Sequence, residues 1–235
     1  MEGLTRTTEI VMAAEATPMG SARAWLVETG SPILLFVSLD LFVTLLFLLL
    51  STSPERIGTF RPVDTVAPKL AELLAAGFAL GLLASLPQRR LDLSLATICT
   101  ALVGLLDLDH LPALLGVAQP VRPAHSVTFL ALEVFAMFVA FRRRKEVPLI
   151  ATAAFLGHLA ADVGIFAPLT PFSFEYVSLD SLTVPLAVGA AGFALAAGYA
   201  KRRGRSTRTL TGTPSGGRGR VRGWLTSRPW SSTSP

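Results

Sequence analysis

The chain has 235 residues, 51% of them hydrophobic and only 16% charged, with a mean hydropathy of +0.55. Those values exclude an ordinary soluble domain and point to the integral-membrane class. The single cysteine, Cys99, excludes an internal disulfide and a cysteine-held zinc site, so any metal must take nitrogen and oxygen ligands.

The net charge of +5 belongs to the tail: residues 201–235 carry nine Lys and Arg and no acid, and subtracting them leaves −4. No nucleic-acid partner is expected, and membrane lipid is. The opening segment, 1–31, is a poor signal peptide. The apolar run after it is long and no Ala-x-Ala cleavage signal follows, so a retained first helix is expected.

A membrane-spanning helix needs about 20 mostly apolar residues, and six candidates follow in a domain spanning 32–200. They run from about Pro32 to Leu50, Ala67 to Leu86, Leu91 to Leu106, Val127 to Phe141, Val147 to Ala167, and Leu182 to Ala200. The third and fourth are short, which suits a buried or tilted place in the bundle. The expected fold is all-α, an integral membrane bundle of about six transmembrane helices, because an open sheet cannot satisfy its backbone in lipid. Residues 201–235, rich in Ser, Thr, Gly, Pro and Arg, read as a disordered basic tail able to lie against anionic lipid.

Lys and Arg in the loops set the orientation. Arg89 and Arg90, then Arg142, Arg143, Arg144 and Lys145, and the tail fall on one side, which is predicted to be cytoplasmic with both termini. The connections around Arg122 and from Leu169 to Ser181 are then outside the inner membrane. Arg56 and Arg61 dissent. The aromatic residues Phe172, Phe174 and Tyr176 in the outer connection suit an interfacial belt or the mouth of a site.

Three polar motifs interrupt the apolar pattern and contain every histidine of the chain. They are Asp107-Leu108-Asp109-His110, His125-Ser126, and His158 with Asp162 one turn on. A charge at the centre of a membrane helix costs roughly 2.5–3.5 kcal/mol even on the mildest scale, so something must offset it. Under the six-helix topology all three motifs reach the outer leaflet. If Pro168 ends the fifth helix, Asp162 lies roughly 9 Å and His158 roughly 15 Å below that end. Imidazole and carboxylate are standard ligands for a divalent ion, zinc first, with manganese or iron as alternatives. Each motif also has a plainer reading: a helix cap at Asp109-His110, an N-cap at Ser126, a hydrogen-bonded pair at His158 and Asp162. Asp40, Glu72 and Glu133 are further acids within apolar helices, suited either to holding a histidine from behind or to structural pairing.

In this order the motifs resemble the LexA-binding, inner-membrane-associated hydrolase family, also described as membrane-bound metal-dependent hydrolases. That family shows Asp-x-Asp-His, then Thr-His-Ser, then His-x-x-x-Asp followed by Gly and Pro-Phe-Ser. Here these correspond to 107–110, to Ala124-His125-Ser126, to His158 through Asp162 with Gly164, and to Pro171-Phe172-Ser173. The chain departs at Leu106, where the family has Pro, at Val121-Arg122, where it has His-Arg, and in lacking an early histidine.

The resemblance implies a hydrolase with Asp107, Asp109, His125, His158 and Asp162 as metal ligands. Asp109 and His110 would be the acid and base, and Ser126 a substrate contact; Arg122, near the site, would either neutralise an anionic substrate oxygen or sit at the lipid headgroups. A distant similarity of the family to zinc-dependent phospholipase C and single-strand nucleases favours a phosphoester, and a site recessed in the bilayer favours a lipid-linked or other small-molecule substrate. The alternatives are a non-enzymatic metal-binding membrane protein and a degenerate family member.

Overall fold

The computed structural model describes residues 18–50, 66–110, 123–162, 165–166, 168–169, 172 and 177–211. Six α-helices dominate: α1 (Pro18–Leu50), α2 (Val66–Ser85), α3 (Leu93–Leu105), α4 (Val127–Ala140), α5 (Glu146–Ala161) and α6 (Thr183–Thr211). Short 3-10 turns cover Leu86–Gln88, Leu106–His110 and Pro123–His125, and β1 (Ile165–Phe166) pairs antiparallel with β2 (Val177–Ser178). Four segments are long and apolar enough to cross a membrane: 22–46, 69–88, 93–110 and 183–206. The third needs its 3-10 turn to reach that length, and α4 and α5 remain shorter.

The short length of α5 follows from its place. It packs against α2, α3, α4 and α6, and its buried residues run through every face, from Val147 and Ile150 to Phe155 and Leu159. A helix apolar all round belongs inside protein, and one enclosed by other helices need not match the bilayer. Large apolar side chains on the surrounding helices, such as Leu34, Phe42, Phe78, Phe135 and Val188, point outward, as lipid contact requires.

Close approach is achieved by small residues. Gly77 and Gly81 on α2 lie against Thr100 and Ala96 of α3, and a Cβ on Gly77 would fall 2.8 Å from the Thr100 Cα. Gly198 of α6 faces Ala84 of α2 in the same way.

Three helix limits differ from the sequence expectation. Helix α1 begins at Pro18 and passes through Pro32. A proline inside a helix leaves the carbonyl four residues earlier without its donor. Here that carbonyl belongs to Glu28, and Arg144 Nη1 donates to it at 2.9 Å. Helix α5 stops at Ala161, with Asp162 as its C-cap in a non-helical conformation, so the site sits at a helix end and not 9–15 Å below one. Beyond it the chain turns into the β1–β2 bridge.

Helix α6 continues through the basic residues to Thr211, where a disordered tail was expected from residue 201. Two of its charges are paired within the protein. Lys201 Nζ bonds Glu28 Oε1 at 2.7 Å and Asp92 Oδ1 at 3.0 Å, and Arg205 Nη2 reaches Asp92 Oδ2 at 3.1 Å. Residues 212–235 lie outside the described residues.

Asp92 is also the N-cap of α3, accepting from the Leu95 N–H at 3.2 Å. Burial alone would raise its carboxyl, but the Lys201 ammonium, the Leu95 N–H and the Arg205 guanidinium hold it below the usual carboxylate range. This ion-paired end, shared by the starts of α1, α3 and α5 and the ends of α2, α4 and α6, lies opposite the histidine motifs.

Candidate metal centre

The residues of the three motifs meet where α3 and α5 end and α4 begins. The 3-10 turn 106–110 presents Asp107, Asp109 and His110, the turn 123–125 presents His125, and the last turn of α5 presents His158 and Asp162. Asp109, His125 and His158 are fully buried, whereas Asp107, His110 and Asp162 are partly open.

The hydrogen bonds on the far sides of the two buried imidazoles fix what the near sides can do. His158 Nδ1 lies 2.8 Å from the Val103 carbonyl oxygen, which can only accept, so Nδ1 donates. His125 Nδ1 lies 3.1 Å from Asp109 Oδ2, which also accepts the Ala124 N–H at 3.3 Å. An ionised Asp109 therefore takes the Nδ1 proton of His125 as well. Both neutral rings then turn Nε2 lone pairs inward, and these two atoms stand 2.8 Å apart. With Asp109 ionised, two facing lone pairs at that distance call for a cation between them, a proton or a metal ion.

Carboxylates converge on the same point. Asp107 Oδ1 is 3.4 Å from His125 Nε2 and 3.5 Å from His158 Nε2. Asp162 Oδ2 is 3.8 Å from His125 Nε2. Tetrahedral zinc, with ligands at 2.0–2.2 Å, sets neighbouring donor atoms roughly 3.3–3.6 Å apart. The carboxylate distances fall at or close to that range, and the histidine pair would open by about half an ångström to join it. The donor set of nitrogen and oxygen, pre-aimed by outer hydrogen bonds, could thus hold a metal ion.

Other expected residues take different places. His110 stands at the partly open rim, its Nε2 3.5 Å from Asp107 Oδ1 and 4.0 Å from Asp109 Oδ1. Ser126, expected to touch substrate, is instead the buried N-cap of α4. Its hydroxyl donates to the Pro123 carbonyl at 2.8 Å and accepts the Phe129 N–H at 3.0 Å, which leaves it committed to the helix terminus. Arg122, Gly164, Pro171, Ser173, Phe174 and Tyr176 lie outside the described residues. Phe172 is almost fully exposed, as an interfacial aromatic would be.

Of the three further acids, Glu72 is largely exposed. Asp40 and Glu133 are buried inside the bundle, and three of their four carboxyl oxygens, one on Asp40 and both on Glu133, have no hydrogen-bond partner among the described residues. Asp40 is near enough to feel the charges of Asp109, His125 and Asp107, and Glu133 that of Asp40.

Sequence reasoning missed Lys69, in the first turn of α2, whose ammonium donates to the carbonyl of Ala161 beside Asp162. Its one sequence signal is a lysine breaking the apolar start of the second helix. No protein-family model, curated protein or solved structure matches the chain.

Proposed function

We propose that this chain is a membrane-bound metal-dependent hydrolase with a divalent ion held by Asp107, His125, His158 and Asp162. The observation that carries this reading is the facing pair of Nε2 atoms, 2.8 Å apart, with both Nδ1 atoms committed elsewhere. Asp107 and Asp162 beside them supply the negative charge that suits a divalent ion better than a lone proton. Asp109, a ligand by the family resemblance, is better suited to orienting His125 from behind, because its Oδ2 already accepts from the ring and from the Ala124 N–H.

When bound, such an ion supplies Lewis acidity, lowering the pKa of coordinated water and polarising the bond under attack. His110, at the open rim and within 3.5 Å of Asp107 Oδ1, is the group placed to exchange a proton with substrate or solvent. The basic residues gathered at the opposite end favour that end as cytoplasmic, by the positive-inside rule. The centre then opens to the outer leaflet, where an ester-bearing lipid or lipid-linked substrate can approach from the bilayer.

The test is elemental analysis of the full chain purified in mild detergent, followed by metal-dependent turnover across lipid classes. One or two equivalents of zinc, manganese or iron are expected, reduced to background in Asp107→Ala and His158→Ala. In Asp109→Asn affinity falls about 10- to 100-fold without loss of the site. A wild-type protein that takes up no metal even after reconstitution would leave the cluster as a proton-sharing structural pair and end the hydrolase reading.

A further inference from the structure

Among the described residues, the metal-centre end of the bundle is poor in positive charge. Arg23, Arg89, Arg90, the run 142–145 and the basic residues of α6 all lie towards the opposite end, as the helix directions and the Glu28, Arg144 and Lys201 bonds require. Among the described residues Lys69 is the one Lys or Arg at the centre's end.

Its position is fixed. The ammonium donates to the Ala161 carbonyl, one residue before Asp162, whose Oδ2 is 3.8 Å from His125 Nε2. An ammonium has three donors, and the carbonyl takes one. Glu72 Oε2, at 3.9 Å, is beyond hydrogen-bond reach, and its side chain is 68% exposed, so that ion pair is weak. The Lys69 side chain itself is 33% exposed, so the described residues do not enclose its remaining donors.

We propose that Lys69 is a specificity-determining residue that binds an anionic oxygen of the substrate, so that the centre selects phosphate esters over neutral esters. This rests on the metal-centre reading. A phosphate group has several non-bridging oxygens, so one can face the Asp107–His125–His158–Asp162 cluster while another accepts from Lys69. Lysine serves phosphate as a point charge in this way, without the fixed fork geometry of arginine. The Ala161 bond holds the ammonium beside the cluster and restrains its flexible stem. The rival explanation is that Lys69 only caps the C-terminus of α5.

Lys69→Gln separates the two, because Gln keeps a donor for the Ala161 carbonyl and removes the charge. The full chain in detergent, with its metal content measured, is titrated with inorganic phosphate and separately with a short-chain phosphatidic acid in the same micelles. Lys69→Gln is expected to weaken both about tenfold or more, with metal content unchanged, while Lys69→Arg retains most of the affinity. Tighter binding of the phosphatidic acid than of phosphate by the wild type assigns the anion to a lipid headgroup, and equal binding to a free phosphate ester.

The proposal is overturned if Lys69→Gln binds both probes within twofold of wild type, or if metal-loaded wild type binds neither. Failure of the metal reading shows separately as absence of metal. Lys69 is then judged by the same ratio in the phosphate titration: an unchanged affinity, or none to compare, overturns it.

Discussion

Asp92→Asn removes one charge from the ion-paired end while leaving an acceptor for the Leu95 N–H, so the helix cap survives. Lys201 Nζ lies 3.0 Å from Asp92 Oδ1, and the two side chains are 9% and 4% exposed. At an effective dielectric of 20, charges 3.0 Å apart attract by about 5.5 kcal/mol before desolvation, which offsets most of it. Removing one partner of a buried pair costs about 3–5 kcal/mol because the other charge stays buried alone. Lys201 keeps Glu28 at 2.7 Å, which reduces the expected loss to about 2 kcal/mol. Arg205, with a side chain 42% exposed, adds little.

Reversible unfolding in mixed micelles, followed by helical circular dichroism, would compare Asp92→Asn, Lys201→Met and the double variant. The double variant should lose less than the two single losses together, by about 1 kcal/mol or more. Stability of Asp92→Asn within about 0.5 kcal/mol of wild type, or strict additivity, would refute the idea that this pair ties α3 to α6.

The same carboxyl gives a pH signature. Its folded pKa lies below the unfolded value of about 3.9, so its contribution is complete above that value and disappears as pH falls through the folded one. Wild-type stability should therefore fall more steeply than that of Asp92→Asn as the pH drops below about 4, and parallel curves would contradict the pairing. At the α2–α3 crossing, a Cβ in Gly77→Ala would meet Thr100 Cα at 2.8 Å and Val103 Cβ at 3.0 Å. Overpacking of this kind costs about 1–3 kcal/mol. Because the Val103 carbonyl holds His158 Nδ1, metal affinity should fall about tenfold as well. Equilibrium metal titration reads that second effect, and an unchanged affinity would sever the link between the crossing and the centre.

Hydropathy alone made the six helices legible, because lipid and core both demand long apolar runs. The meeting of Asp107, His125, His158 and Asp162 was also within reach of the sequence, since helix direction alternates and brings all three motifs to the same leaflet. Helix limits were harder. The Lys201–Arg205 stretch reads as a solvated tail because its partners, Glu28 and Asp92, lie 173 and 109 residues away. Pattern cannot report a pairing at that separation. The end of α5 was hidden for the opposite reason: Ile165, Phe166 and Ala167 are apolar, so hydropathy carries on where the backbone turns. The orienting geometry of Asp109 and the anchoring of Lys69 both depend on which carbonyl or ring nitrogen a side chain meets, and a one-dimensional reading does not contain that.

The bond from Arg144 to the Glu28 carbonyl links positions 116 residues apart, and this separation has a meaning in time as well as in space. Helix α1 precedes Arg144 in synthesis, carrying a carbonyl that Pro32 has deprived of its donor. Until Arg144 has been translated, that oxygen must find another donor, such as water. The earliest of the described helices in sequence is thus among the last to have its contacts completed. The carbonyl waits on the connection between α4 and α5, and the Glu28 carboxylate waits longer still, for Lys201 of α6.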